Sequence, residues 1–564
     1  MKYARRLAAL FLSTVLALSA GCAHFPSSEG SGESGARESS VPAPADSSEV
    51  SSPEESSAPV AAEPEPYTLP LTRQRQVLRI FLPGEASTVS ALAENGLLSD
   101  FALKSRIFTE FVYAEEGSAA EALTSFMASA DAPDIIYSVG LLGVSLDTLV
   151  FNNRILRLNE LIDQYGYHLY HAFKDDPSFY RQVLTCEKNI AVYPYSHADV
   201  VTRYGEDFFF RADWLDALGL SVPTTPDGWQ TVLTSLKNGD PNGNGYADEI
   251  PFVDASGRGG VLRLSTLFGF NANPESGWAC SVLEGRVTFA AFAQEFPRFI
   301  STVSQWYADG LIQESFGEMS FESLSSRFTG NTAGVFFGTV KDAESILGSY
   351  NYESGSSGFG LVPAPAAVLT GGSSFDYFSS PAYDGDGAAV SGSCELVKEA
   401  VRFLDYLYGP EGRLLLSYGL EDSTFTYDST GSPMFTDLIT NGDGYSYAEA
   451  LQRYTLIDSG LRLATDELYM SIRVPGDTAN RVYNALSAAS TDSQLPESLP
   501  FSDVEQTRLS SLMQDIEPVY SETVLRLIKG DEEVSVSDLR SQLTSMGIDE
   551  VVRILQRAYE RMNA

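Results

Sequence analysis

The chain has 564 residues, 43% of them hydrophobic, and its 75 acidic against 37 basic side chains leave a formal net charge of −38. That balance excludes nucleic acid and an anionic membrane surface as binding partners, since both need a basic face, and it disfavours a highly anionic ligand unless a local arginine cluster receives it. The apolar share, spread over roughly 500 residues beyond the N-terminal segment, is enough for two cores rather than one.

Taken from the start, Lys2, Arg5 and Arg6 precede the apolar run Leu7 to Leu18, and Ser19-Ala20-Gly21-Cys22 follows. This is the layout of an export signal ending in a lipid-modified cysteine, and the apolar run is shorter than the roughly 20 residues a membrane-spanning helix needs. It predicts cleavage before Cys22, a lipid on Cys22, and a protein anchored on the outer face of the cell membrane. Ser19 stands where such signals usually carry Leu, which keeps open an ordinary secretory signal with a chance cysteine. Residues 23–66 are Ser, Pro, Glu, Gly and Ala with almost no large apolar side chain, so they cannot offset the entropy of ordering and are expected to form a tether reaching roughly 35 Å. The folded part is expected over 67–564.

Val77 to Leu82 reads as a first strand, Ala119 to Ala130 as an amphipathic helix and Asp134 to Ser138 as a buried strand. Asp227 is the expected N-cap of a helix starting near Trp229. Further helices are predicted over Phe299 to Trp306, Val397 to Leu407, Glu505 to Leu527 and Ile548 to Met562, and the Pro/Gly-rich stretch 361–392 is expected to carry a crossing between lobes. This alternation predicts an α/β protein of two lobes, each a sheet covered by helices. Cys186, Cys280 and Cys394 are too scattered to set a disulfide framework, and His168 and His171 have no neighbours completing a metal site.

The most specific segment is Asp240-Pro241-Asn242-Gly243-Asn244-Gly245-Tyr246-Ala247-Asp248-Glu249. Oxygen-bearing side chains at its first, third and fifth positions converge where glycine permits the sharp turn, the arrangement hard cations favour. Asp240, Asn242 and Asn244 are the candidate calcium ligands, with the Tyr246 carbonyl and the Asp248 and Glu249 carboxylates completing the set. Pro251 occupies the twelfth position, where an EF-hand has its bidentate Glu, which argues against a paired-helix calcium sensor. The same residue types also build metal-free turns.

Around this loop stand Phe210-Arg211-Ala212-Asp213-Trp214-Leu215-Asp216-Ala217-Leu218-Gly219-Leu220 and Val222-Pro223-Thr224-Thr225-Pro226-Asp227-Gly228-Trp229. Asp131 to Tyr137, Trp306 to Ile312, Ala400 to Tyr408 with Glu411-Gly412 and Tyr418-Gly419, and Met546-Gly547-Ile548-Asp549 complete an ordered series. Together they resemble the extracellular solute-binding lipoproteins of bacterial carbohydrate ABC importers, the group that includes alginate-oligosaccharide binders. The resemblance implies a periplasmic-binding-protein type II fold with hinge-linked α/β lobes and extra C-terminal helices. On that template lobe 1 is expected over about 67–197 and 366–435, and lobe 2 over about 198–365 and 436–564. It further implies a monomer that captures an oligosaccharide between its lobes, delivers it to ABC permease subunits, and uses calcium structurally.

Sugar binders stack pyranose faces on aromatic rings. Trp278 and Tyr383, in loop-like sequence, and Tyr193, just before an expected crossing, are the candidate ligand contacts; ordinary packing is the competing reading for each. Trp214 and Trp229 follow an amphipathic pattern and are assigned to core. A surface-anchored glycosidase would share the signal, tether, calcium loop and aromatics, and a peptide-binding or adhesion lipoprotein is a third class. No GxSxG, HExxH or phosphate-cradling motif is present, and a non-enzymatic binding protein is the reading adopted.

Overall fold

The computed structural model describes residues 63–84, 89, 92, 95–114, 117–129, 132–275, 277–354, 359–369, 372–375, 378–441, 444–473, 476–496 and 498–564. Cys22, the export segment and the tether up to residue 62 lie outside the described residues. The expected tether end at 66 is corrected. Pro64 is buried, and the Glu63 carboxylate accepts from Lys174 Nζ at 3.2 Å with His171 Nε2 3.3 Å away, so 63–66 already lie on the folded body.

Two sheets organise that body. The first takes strands β1 (Gln76–Phe81), β2 (Ile107–Val112), β3 (Ile135–Tyr137) and β4 (Tyr193–His197). The second is built from β5 (Glu206–Arg211), β6 (Ile250–Val253), β7 (Ala333–Thr339) and β8 (Leu361–Pro363). The chain then returns to the first sheet as β9 (Tyr383–Val390) and β10 (Ala464–Thr465). The spatial orders are β10-β4-β9-β3-β1-β2 and β8-β5-β7-β6. Parallel strands covered on both faces need near-continuous apolar sequence, and β1 and β3 supply it: Leu78, Ile80, Phe81, Ile135, Ile136 and Tyr137 are all buried. In the second sheet Phe208 pairs with Phe337 and Phe209 with Phe336 across β5 and β7, and the latter two rings stack at 5.3 Å. Trp214 and Trp229 join this lobe's core, as assigned from sequence, and Trp306 joins them.

Helix α1 (Ala119–Ala128) begins with a capping box between Ser118 and Glu121. Helix α2 (Pro226–Asn238) is capped by Thr225, whose Oγ1 accepts from Gly228 N at 3.2 Å, and not by Asp227; Pro226, with no amide hydrogen to satisfy, takes the first helical position. Helices α3 (Phe296–Ala308), α4 (Val397–Tyr408), α5 (Thr478–Leu486), α6 (Asp503–Ile528), α7 (Val536–Met546) and α8 (Ile548–Asn563) follow. The last three cover the second lobe: Ile516, Tyr520, Leu543, Val551 and Leu555 join its core, and Tyr520 OH donates to the Ala272 carbonyl at 2.9 Å.

The chain passes between lobes over 198–205, over 379–382 and between the helix Glu467–Arg473 and Thr478, which moves two expected boundaries. Ala367 and Phe378 pack with the second lobe's core, so 366 is too early for the return. The cut at 435/436 is too early as well, because Ala464 and Thr465 still pair with Ser196 and His197, and Ile439, Ala450 and Leu451 cluster with Tyr418 and Phe425. Lobe 2 resumes at α5, whose Val482 and Leu486 pack with Val340 and Ile346.

Candidate functional site

The three passages lie side by side and hold one another through the backbone. His197 N donates to Ala382 O at 3.1 Å, Ala198 N to Thr465 O at 2.7 Å and Ser380 N to Arg203 O at 2.6 Å. Glu467 N donates to the Asp199 carboxylate at 2.9 Å. A few laced segments of this kind let two rigid lobes rotate while everything else stays packed.

Beside this hinge is a cavity of about 450 Å³ with walls from both lobes, a size typical of small-ligand sites. Lobe 1 contributes Asp147, Gln182, Tyr383 and Asp386, and lobe 2 contributes Trp278, Ser498, Phe501 and Gln506. Two of the three aromatic residues singled out from sequence therefore meet in one place. Trp278 is half-buried and meets Phe501 edge to face, with ring centroids 5.8 Å apart at 89°. Its backbone is left-handed, φ 55° and ψ 33°, a conformation that strains a bulky residue by about 1–3 kcal/mol and is concentrated at functional sites.

Tyr383 opens β9 opposite Ser196 and is 4% exposed, so only an edge reaches the cavity. Burial, followed by the nearby Asp386 and Asp384 carboxylates, raises its phenol far above the ordinary range and keeps it neutral. Asp386 accepts from Gly140 N at 3.0 Å and Gly387 N at 2.7 Å; burial nonetheless lifts its carboxyl above the usual value. Gln182 Oε1 and Ser498 Oγ are buried with no hydrogen-bond partner among the described residues. Such atoms are costly unless something satisfies them.

Tyr193 is corrected. It is fully buried in the first core, and its hydroxyl donates to Asp405 Oδ1 at 3.3 Å. Asp405 also accepts from Tyr67 OH, His168 N and Leu169 N, and this cluster lies inside lobe 1. A residue in the middle of a six-stranded sheet alternates toward one covered face or the other, which the loop-like Tyr-Pro-Tyr sequence disguised. Its neighbour Tyr195 is half-buried, and its hydroxyl accepts from Ser138 N at 3.0 Å. Gln182, Ser498, Gln506 and Asp386 went unnoticed in the sequence because isolated polar residues carry no motif; for Asp386 the one signal was its place three residues after Tyr383.

The loop Asp240 to Glu249 closes on itself. Asp240 has φ 49°, and Gly243 and Gly245 have φ 69° and 75°, supplying the tight turns. Asp240 accepts from Asn244 N and Gly245 N at 3.0 and 3.1 Å, and the Asn242 and Asn244 carbonyl oxygens accept from Asn244 N and Tyr246 N. The Asn242 and Asn244 amides donate to Asp248 at 3.0–3.1 Å. The Tyr246 ring is exposed, as suits a residue that would contribute only its carbonyl. Glu249 is 8% exposed and its Oε1 has no hydrogen-bond partner among the described residues; burial, then Asp248 and Asp240, raises its carboxyl. Among the described residues no three His, Cys, Asp or Glu side chains converge, so the oxygen set here depends on two asparagines and a carbonyl. The buried Glu249 carboxyl, with Asp248 and Asp240 near enough to raise it and two asparagine oxygens in the same turn, fits a hard divalent cation without a converged carboxylate cluster.

No family model matches the chain. It is similar to the fructooligosaccharide ABC transporter substrate-binding protein FusA of Streptococcus pneumoniae, 29% identical over 230 residues, 40% of this chain and 42% of that protein. It is also similar to lipoprotein LipO of Bacillus subtilis, 25% identical over 255 residues, 44% of this chain and 49% of LipO. These alignments span less than half the length of the curated relatives. The crystal structure of alginate-binding protein AlgQ2 without calcium ion superimposes with a TM-score of 0.59 at 21% identity, over 87% of this chain and 99% of AlgQ2. The chain accordingly has the two-lobed α/β fold of a solute-binding protein.

Proposed function

We propose that this chain is the substrate-binding lipoprotein of a bacterial ABC importer, capturing an extracellular oligosaccharide between its lobes and handing it unchanged to permease subunits. The observation that carries the reading is the interlobe cavity, where Trp278 and an edge of Tyr383 offer ring surface and Gln182 Oε1 and Ser498 Oγ offer unsatisfied acceptors. A sugar supplies what those groups lack: apolar ring faces for stacking and hydroxyls that donate. Closing the lobes around it would present one compact form to the permease. The similarity to FusA and to LipO supports the transport and lipoprotein parts of the reading.

The loop Asp240 to Glu249 would hold calcium, with Asp240, Asn242, Asn244, the Tyr246 carbonyl, Asp248 and Glu249 as its ligands. It lies on the second lobe away from the cavity-lining residues, so the ion would lock the turn after α2 and take no part in ligand chemistry. Cys22 would carry the lipid; no helix among the described residues is long and apolar enough to cross a membrane. The folded body acts as a monomer at the outer membrane surface of the cell.

The test is titration calorimetry of the soluble body against fructo-, malto-, xylo- and galacto-oligosaccharides, with product analysis after prolonged incubation. Saturable binding without cleavage is expected. Time-dependent cleavage would transfer the protein to the surface-anchored glycosidases, and binding of peptides alone would move it to another class of lipoprotein.

A further inference from the structure

Resting on the oligosaccharide reading, the charge of the cavity goes further and names the class of sugar. Among its described lining residues there are two carboxylates, Asp147 and Asp386, and no Lys, Arg or His. Asp147 is fixed by the Thr185 hydroxyl, by Glu187 N at 3.0 Å and by Asn189 Nδ2 at 2.8 Å, all neutral donors. Asp386 is fixed by two backbone amides. Neither carboxylate therefore has a cation at hand to cancel its charge.

Two cations beside the cavity walls are engaged elsewhere. Arg561 donates to the Pro500 carbonyl and pairs with Glu505 at 3.0 Å, and Lys188 Nζ caps the Arg561 carbonyl at 3.0 Å. A sugar carboxylate enclosed here would lose its water, find no guanidinium or ammonium to replace it, and face two like charges in a medium that screens them poorly. A neutral hydroxyl has the opposite experience, since carboxylates and the orphaned Gln182 and Ser498 oxygens are all acceptors for its proton.

We infer that the interlobe cavity selects uncharged sugars and rejects uronates, with Asp147 and Asp386 as the residues that enforce the choice. Specificity of this form comes from a penalty on the wrong ligand as much as from contacts to the right one.

The experiment compares length-matched pairs by calorimetry: galacto-oligosaccharides against oligogalacturonates, and manno-oligosaccharides against mannuronate oligomers. At least one neutral member should bind, and its carboxylated counterpart should bind at least tenfold more weakly at low salt. Gln506→Lys, which puts an ammonium on the cavity wall, should raise the ratio of uronate to neutral affinity fivefold or more. Asp386→Asn should shift the ratio in the same direction. A uronate that binds the unaltered protein as tightly as its neutral partner overturns the selectivity but leaves the oligosaccharide reading standing. Failure of every sugar in both panels overturns this inference, and the oligosaccharide reading falls with it when the fructo-, malto- and xylo-oligosaccharides fail as well.

Discussion

Thr148 Oγ1 donates to Asp503 Oδ2 at 2.5 Å, joining a short helix of the first lobe, Leu146–Phe151, to the first turn of α6 on the second. The Ser145 and Thr148 hydroxyls hold the Asp503 carboxyl below its ordinary range. Thr148 follows the cavity-lining residues 145–147 and Asp503 follows the cavity-lining Phe501 by two, so the contact joins the lobes beside the cavity as a clasp as well as a local hydrogen bond.

Asp503→Ala should therefore open the ligand-free protein, seen as a larger radius of gyration in small-angle scattering, and weaken ligand binding roughly threefold, the scale of one exposed hydrogen bond. The sign with pH follows from the depressed carboxyl. Its contribution is complete above the ordinary aspartate range and is lost as pH falls through the lowered value. Scattering profiles identical to the unaltered protein would remove the clasp from the account.

Calcium should stabilise the second lobe. Binding only to the folded state adds about 2.7 kcal/mol when free calcium is a hundred times its dissociation constant, and chelation should lower the melting temperature accordingly. Asp240→Ala should abolish that response, because Asp240 is the residue both loop amides at 244 and 245 converge on. A melting curve indifferent to chelator would leave the loop a metal-free turn.

The scaffold was readable in the sequence where period and composition agree. Leu78, Ile80 and Phe81, Ile135 to Tyr137 and the helix at Val397 announce buried strands and an amphipathic face without help from distant residues. The cation loop is local too, since all its oxygens lie within ten residues. The third passage between lobes was not legible: the helices Tyr447–Tyr454 and Thr478–Leu486 are amphipathic alike, and the lobe that holds the chain shows only in distant packing, Ala464 beside Ser196 and Ile472 with Tyr418. The cavity was half legible. Trp278 and Tyr383 stand out as aromatics in loops, but Tyr193 has the same local look and differs only through Asp405, more than two hundred residues away.

A pH signature is expected from Asp254, just beyond β6. Its carboxylate accepts from Gly260 N at 3.1 Å and Val261 N at 3.2 Å, yet burial pushes its pKa up to about 6 from the ordinary 3.8. A carboxyl that keeps its proton more tightly when folded adds stability that is complete below 3.8 and is lost as pH rises through about 6. The total is about 3 kcal/mol as an order of magnitude, from roughly two units at 1.36 kcal/mol each. Asp254→Asn should flatten the fall in denaturant-derived stability between pH 4 and 6 that this group imposes. An unchanged slope would assign the dependence elsewhere.

The sharpest contrast lies between Trp278 and Tyr193, two rings alike in sequence context and opposite in placement. Trp278 holds a left-handed backbone that glycine adopts without strain, so Trp278→Gly removes the ring while relieving φ, whereas Trp278→Ala removes the ring and keeps the strain. Ligand affinity should fall about 10- to 100-fold in both, corresponding to about 1.5–3 kcal/mol of lost ring burial, and the glycine variant should melt higher than the alanine variant. Tyr193→Phe should behave in reverse. It deletes the hydrogen bond to Asp405, lowers unfolding free energy by about 1 kcal/mol, and leaves affinity unchanged because the ring never reaches the cavity. Calorimetry and thermal melts on the three variants separate the effects. Full affinity in Trp278→Gly would take the ring out of the ligand site, and a loss of affinity in Tyr193→Phe matching that of the Trp278 variants would move the site toward the hinge-side core of lobe 1.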